Sequence, residues 1–388
     1  MATSQHPPTG PVAFDPDAAA QPGSGIFGLP FTFEQAACVL VPAPFDATTS
    51  YGGGASSGPE AILAASAQVD LFDVQFGRIY EFGLHMQDID ESMLEKSREA
   101  RALAEPIIAK GGADPDDAGD ADIVRRVNEA SEWMNGVVYD RVKRLLEAGR
   151  VPGLIGGDHS TPFGAIKACA ERAATSGEPL GILHVDAHMD LRDSFEGFTW
   201  SHASIMFNVL RRLPQVRRLV QVGIRDFGEG ELKVATEPAP TPSSPMNPND
   251  SWMTDAPVAG AAHTRVITHF DLDLFKRQSR GEAWEATCHQ IVSALPRLVY
   301  VSFDIDGLDP ALCPHTGTPV PGGLSFAQAS VLLETLARSG RRVVGFDLNE
   351  VCPGPDVGGA GPDEWDANVG ARILYKLCGC AYRSVRGW

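Results

Sequence analysis

Downstream of residue 150 the chain repeats one pattern: a short apolar run, a turn carrying Gly, Asp or His, then a longer segment with apolar residues at helical spacing. Residues 151–157, 181–188, 219–225, 298–306 and 342–348 read as strands, and 162–174, 202–213, 284–295 and 326–339 read as helices. Strands that alternate with helices predict βαβ units and a parallel sheet. Upstream, Pro59 and Glu60 suit the first turn of a helix. Residues 91–121 read as a charged helix followed by a surface loop, and 122–148 as a long helix. Residues 238–262, rich in Pro, Ser and Asn, have no core-forming pattern and read as an extended loop. That loop leaves the sheet after Gln221 to Asp226, which makes it a surface or oligomer-contact insertion, with a lid as the alternative.

In open parallel sheets ligands bind outside the carboxyl ends of the strands. His159, Asp186, His188, Asp304, Asp306 and Glu350 each follow an apolar run in this way. The motifs are Gly156-Gly157-Asp158-His159-Ser160, Asp186-Ala187-His188-Met189-Asp190 and Asp304-Ile305-Asp306-Gly307. Because alternate side chains of a strand share a face, Asp186, His188 and Asp190 are expected to point with His184. Ser302, Asp304 and Asp306 are expected to point together from the next motif. Carboxylates crowded into a partly buried pocket repel, and cations placed among them would cancel that charge. The motifs together read as a two-metal site.

Acidic side chains outnumber basic ones by 50 to 32, giving a net charge of −18, which argues against nucleic-acid or anionic-membrane partners. The seven cysteines follow no framework spacing, so reduced thiols in a cytoplasmic protein are expected. Residues 1–24 lack the basic and apolar regions of a signal peptide and read as an extended arm. Residues 25–388 then form a single domain interrupted by the 238–262 insertion. No apolar stretch approaches the roughly 20 residues that span a bilayer. The Gly52-Gly53-Gly54 run lacks the Lys-Ser/Thr of a phosphate loop.

The three motifs, the run Ser302 to Pro310, Thr316-Gly317-Thr318-Pro319 and Asp347-Leu348-Asn349-Glu350-Val351 together resemble the ureohydrolase superfamily of arginase and agmatinase. The resemblance spans roughly residues 40 to 385 and implies a three-layer α/β/α sandwich with a mostly parallel sheet. It implies two divalent ions, Mn²⁺ or Ni²⁺, one held by His159 and Asp190, the other by His188 and Asp306, with Asp186 and Asp304 bridging. It further implies hydrolysis of a guanidino C–N bond to urea by a metal-activated hydroxide, and a homo-oligomer, trimer or hexamer. Glu350 would orient the substrate cation, and His202 would assist proton transfer. Asp158 would support the ligands rather than bind metal.

The segment after Asp190 departs from arginase-like members, and His202-Ala203-Ser204 departs from the His-Gly-Thr of agmatinase-like ones. After Asp190 the chain reads Leu191-Arg192-Asp193-Ser194-Phe195-Glu196-Gly197-Phe198-Thr199-Trp200. Arg192 would repel a cationic tail or bind a carboxylate tail, unless it merely pairs with Asp193 or Glu196. Phe195, Phe198 and Trp200 would shorten the pocket. The substrate residues expected are therefore Glu350, Arg192, Trp200 and Thr318, and the resemblance is nearest to the free-guanidine hydrolase branch. Agmatine or a guanidino acid is the alternative substrate, and a catalytically silent partner subunit is the rival class. His315 has no assigned role.

Overall fold

A computed structural model describes residues 14–21, 23–237, 264–356 and 363–387. The expected loop at 238–262 and most of the expected arm at 1–24 lie outside the described residues. The strands are β1 (Cys38–Ala43), β2 (Phe72–Asp73), β3 (Gly77–Arg78), β4 (Leu84–Met86), β5 (Val151–Gly156), β6 (Leu180–Val185), β7 (Val216–Ile224), β8 (Val266–Phe270), β9 (Leu298–Asp304) and β10 (Arg342–Asn349). Eight of them form one sheet in the order β4-β1-β5-β10-β9-β6-β7-β8, and all its pairings are parallel. β2 and β3 form a separate antiparallel hairpin.

Helices cover both faces. Side chains of α1 (Gly58–Ser66), α8 (Trp284–Ser293), α9 (Phe326–Arg338) and α10 (Trp365–Arg386) pack in one core. Those of α3 (Ala118–Glu147), α4 (Phe163–Thr175) and α5 (Ile205–Arg212) pack in the other, with Met93 and Ala100 of α2 (Glu91–Ala109). The remaining helices are α6 (Glu229–Thr236) and α7 (Asp271–Ser279). The strands alternate as the pleat requires: Val299, Val301 and Phe303 of β9 enter the first core, while Leu298 and Tyr300 enter the second. A strand buried on both faces reads as a continuous apolar run, which is the pattern seen in the sequence. Helix α1 carries Pro59 and Glu60 in its first turn as expected. The long helix begins at Ala118, four residues before its expected start, where the Asp117 side chain accepts the amides of Gly119 and Asp120.

The chain runs from β5 to β6 by skipping two positions, which β9 and β10 later fill. The crevice at this reversal of strand order is where loops splay apart and a ligand site can form. Two sequence expectations need correction here. β6 ends at Val185 and β9 at Asp304, so Asp186, His188, Asp190 and Asp306 lie beyond the strands. Strand parity therefore does not bring them together. Asp304 accepts the amide of Asp306 in a 3₁₀ turn over Ile305–Gly307, and Asp190 takes a left-handed backbone (φ +55°), so turns aim these carboxylates.

Candidate metal centre

The turn after β5 places His159 at the middle of the crevice. Its Nδ1 lies 2.9 Å from Asp186 Oδ2, 3.1 Å from Asp190 Oδ2 and 3.2 Å from Asp304 Oδ2. On the other side of the ring, Nε2 is 2.9 Å from Ser302 Oγ, whose hydroxyl donates to Asp347 Oδ1 at 3.0 Å. A proton on Nε2 satisfies that relay and leaves the Nδ1 lone pair facing the carboxylates, the arrangement in which a ligating imidazole is oriented by a hydrogen bond through its other nitrogen. Gly157 allows the turn to form, since a Cβ there would lie 2.0 Å from the Phe45 carbonyl oxygen.

A second group of donors adjoins the first. His188 Nδ1 lies 3.0 Å from Asp306 Oδ2 and 3.5 Å from Asp186 Oδ1. The Ala187 amide donates to Asp306 Oδ1 at 3.0 Å, which locks the two motifs to each other. Asp186 belongs to both groups, one with His159, His184 and Asp190 and one with His188 and Asp306. In each group the donor atoms lie within 4.8 Å of one another. The structure thus brings together all six residues singled out in the sequence as ligands. Asp186, Asp190, Asp304 and Asp306 are buried, as is His159.

The electrostatics match that crowding. Burial and the neighbouring Asp186 charge push Asp190 up to about 7, and burial with Asp306 and Asp186 holds Asp304 well above the usual carboxylate range. Burial disfavours the His188 imidazolium, but Asp306 and Asp186 outweigh it and raise the ring to about 12. Protons held this way compete with divalent cations for the same atoms. Oxygen and imidazole donors without thiolate fit Mn²⁺, Ni²⁺ or related ions, and neither donor group contains a cysteine.

The arginase family model matches residues 36–240 and 253–379 of this sequence. The chain belongs to the arginase family. The N(1)-aminopropylagmatine ureohydrolase of Thermus thermophilus is 31% identical over 330 residues, covering 84% of this chain and 87% of that protein. An agmatinase of Pyrococcus horikoshii is 28% identical over 348 residues, covering 89% of this chain and 92% of that one. Among solved structures, agmatine ureohydrolase of Thermoplasma volcanium superposes with a TM-score of 0.62 at 22% identity, covering 91% of this chain and 92% of its own. Arginase of Bacillus subtilis gives 0.56 at 20% identity, covering 89% and 98%. These two likenesses establish the α/β fold.

Around the donors of this arginase-family chain, the other expected site residues divide. Glu350 is buried, with a left-handed backbone (φ +61°). Its Oε1 accepts the His159 amide at 2.9 Å, while its Oε2 has no hydrogen-bond partner among the described residues. Burial and Asp158 raise its pKa well above the usual range. A cavity of about 170 Å³ beside the donors is lined by His188, Asp190, Arg192, Phe195, His202 and Thr318, among others. His202 Nε2 lies 3.4 Å from Ser50 Oγ, and burial followed by His188 and His159 pushes the ring down to about 3, so it is neutral. Thr318 Oγ1 is 3.4 Å from Asp306 Oδ2.

Trp200 is not a cavity residue. It lies in the core against Phe163, ring centres 4.8 Å apart, and its Nε1 donates to Glu132 Oε1 at 3.2 Å. Phe198 is also buried in a core cluster, which leaves Phe195 as the aromatic of that segment that reaches the cavity. Arg192 pairs with Glu231 at 3.4 Å, not with Asp193 or Glu196. Asp158 accepts the amide and hydroxyl of its own neighbour Ser160, at 2.9 and 2.5 Å, and so shapes the turn that carries His159. His315 is held by Asp366 at the start of α10, through both its amide and Nδ1 at 2.9 Å, which makes it a clamp for the 313–318 loop.

Sequence reasoning put His184 and Ser302 on the ligand face but gave no role to the layer behind the ligands. His184 Nε2 is 2.7 Å from Asp186, and its Nδ1 accepts from Gln221 Nε2 at 3.1 Å; the Gln221 amide also donates to the Met189 carbonyl at 2.8 Å. Ser302 and Asp347 lie within the apolar strand runs, and polar residues inside such runs were the available signal.

Proposed function

We propose that this chain hydrolyses a guanidino C–N bond to give urea, with free guanidine as substrate. The convergence of His159, Asp186, His188, Asp190, Asp304 and Asp306 in one crevice carries the reading, together with the family match. Divalent ions bound there, Mn²⁺ or Ni²⁺, would supply hydroxide near neutral pH. His159 and Asp186 face the shared centre, and the Ser302–Asp347 relay keeps the His159 proton on Nε2. Glu350, fixed by the His159 amide, would take the guanidinium cation with its carboxylate. Neutral His202 would accept a proton at a ring nitrogen and deliver it to the departing nitrogen. Guanidinium and water become urea and ammonium: a C–O bond forms, a C–N bond breaks, and the leaving amino group gains both protons of the water.

Arg192 and Phe195 at the cavity wall support a small substrate without a cationic tail. Agmatine is the second reading, favoured by the names of the Thermus and Pyrococcus relatives and by exposed Asp226 on the cavity lining. A silent subunit fits poorly with a complete donor set. No described helix is long and apolar enough to cross a membrane; a cytoplasmic homo-oligomer belongs to the same proposal. Urea release from guanidine, agmatine, guanidinobutyrate and arginine, each with Mn²⁺ and with Ni²⁺, tests the reading. Guanidine is expected to give the highest kcat/KM, and a higher value for agmatine would replace guanidine as the substrate.

A further inference from the structure

One wall of the cavity carries a buried carboxylate paired with a guanidinium of the chain itself. Glu231, in the first turn of α6, is 4% exposed. Its Oε1 accepts the Leu191 amide at 3.1 Å and its Oε2 accepts the Gly228 amide at 2.7 Å. Arg192 Nε approaches the same Oε2 at 3.4 Å, and its guanidinium carbon lies 4.9 Å from the centre of the Phe195 ring. A fixed carboxylate beside an aromatic face is the combination that binds an ammonium or guanidinium ligand. All three side chains line the cavity that also contains the metal-donor residues His188 and Asp190.

The geometry points to a plugged cation subsite: the tethered guanidinium of Arg192 occupies the Glu231–Phe195 site that would otherwise hold the cationic end of a long guanidino compound. Substrate length and tail charge are thereby restricted to short guanidines. This inference rests on the hydrolase reading above. The physical case is one of competition. Arg192 is half-exposed, so its pairing with Glu231 is weak in isolation. Tethering changes the balance, because a linked group acts at an effective concentration on the order of millimolar, which a free amine of weak affinity does not match. The Arg192 amide donates to the Ala203 carbonyl at 3.1 Å, so the tether is anchored. A carboxylate tail gains little here, since Glu231 already neutralises Arg192 and Asp226 adds negative charge to the same lining.

The test uses putrescine, a cationic tail without a guanidino group, titrated calorimetrically into the metal-loaded wild type, Arg192→Ala and Arg192→Ala/Phe195→Leu. The second substitution leaves the backbone cap made by Glu231 in place. Putrescine is expected to bind Arg192→Ala about tenfold more tightly than wild type, and the double variant is expected to lose most of that gain. The agmatine-to-guanidine ratio of kcat/KM should rise about tenfold in Arg192→Ala. Equal or weaker putrescine binding in Arg192→Ala overturns the subsite, as does a selective loss of guanidinobutyrate turnover, which would make Arg192 a carboxylate ligand. If the wild type releases no urea from any of these compounds, the hydrolase reading fails, and the calorimetry still decides the subsite on its own.

Discussion

The Glu350 carboxylate accepts the backbone amide of His159 at 2.9 Å, and the Glu350 amide returns a hydrogen bond to the Gly157 carbonyl at 2.8 Å. The end of β10 is thereby tied to the turn that carries the central imidazole. Glu350 takes this position with a left-handed backbone, a conformation that costs a non-glycine residue energy and is kept where the surroundings enforce it.

Glu350→Gln keeps an oxygen for the His159 amide and removes the charge. Urea release is expected to fall about a hundredfold in kcat/KM, as the loss of a charged hydrogen bond to a cation implies. Steady-state kinetics checks this, and a melting temperature close to wild type would show that the fold is intact.

Ser302→Ala interrupts the relay from His159 Nε2 to Asp347. The variant should hold its ions about ten- to a hundredfold more weakly. Metal content after dialysis, read by elemental analysis, tests this; retention equal to wild type would remove Ser302 from the centre.

Trp200→Phe separates packing from specificity. Loss of the bond to Glu132 and of core volume should destabilise the fold by about 1–3 kcal/mol. The relative rates on guanidine and agmatine should not change. A shift in that ratio would return Trp200 to the substrate site.

His269 on β8 lies outside the centre, and its Nε2 has no hydrogen-bond partner among the described residues. Burial, with Arg277 adding to it, pushes the ring down to about 4. A depressed histidine contributes stability above its unfolded pKa of about 6.5, and that stability is lost as pH falls toward the folded value. Wild type should therefore lose about 1–2 kcal/mol more than His269→Gln between pH 7 and pH 4.5, the figure being reduced for partial exposure. Denaturant unfolding at the two pH values measures the difference.

The alternation of apolar runs and helical segments was enough to predict the parallel sheet, because strands buried on both faces leave an uninterrupted apolar signature. The six donors were legible because the three motifs that carry them each follow such a run. Their convergence was predicted for the wrong reason: β6 stops at Val185 and β9 on Asp304, so the other carboxylates lie beyond the strands, and turns set by Asp304 and by the backbone at Asp190 aim them. Trp200 was misread because an aromatic close in sequence to Asp190 can still turn into the core, and only tertiary packing against Phe163 decides that. Glu231 was invisible as the partner of Arg192, since it arrives from a helix 39 residues further on.

The His159–Asp186–Asp304 crevice is proposed to hold divalent ions that support guanidine turnover. The most direct measurement is urea formation from guanidine by the purified chain, before and after chelation and after reloading with Ni²⁺ or Mn²⁺, with metal counted per chain. About two ions per chain are expected, with urea release that disappears on chelation and recovers on reloading. Near-zero metal binding after reloading, or urea release unaffected by complete metal removal, would contradict the proposal.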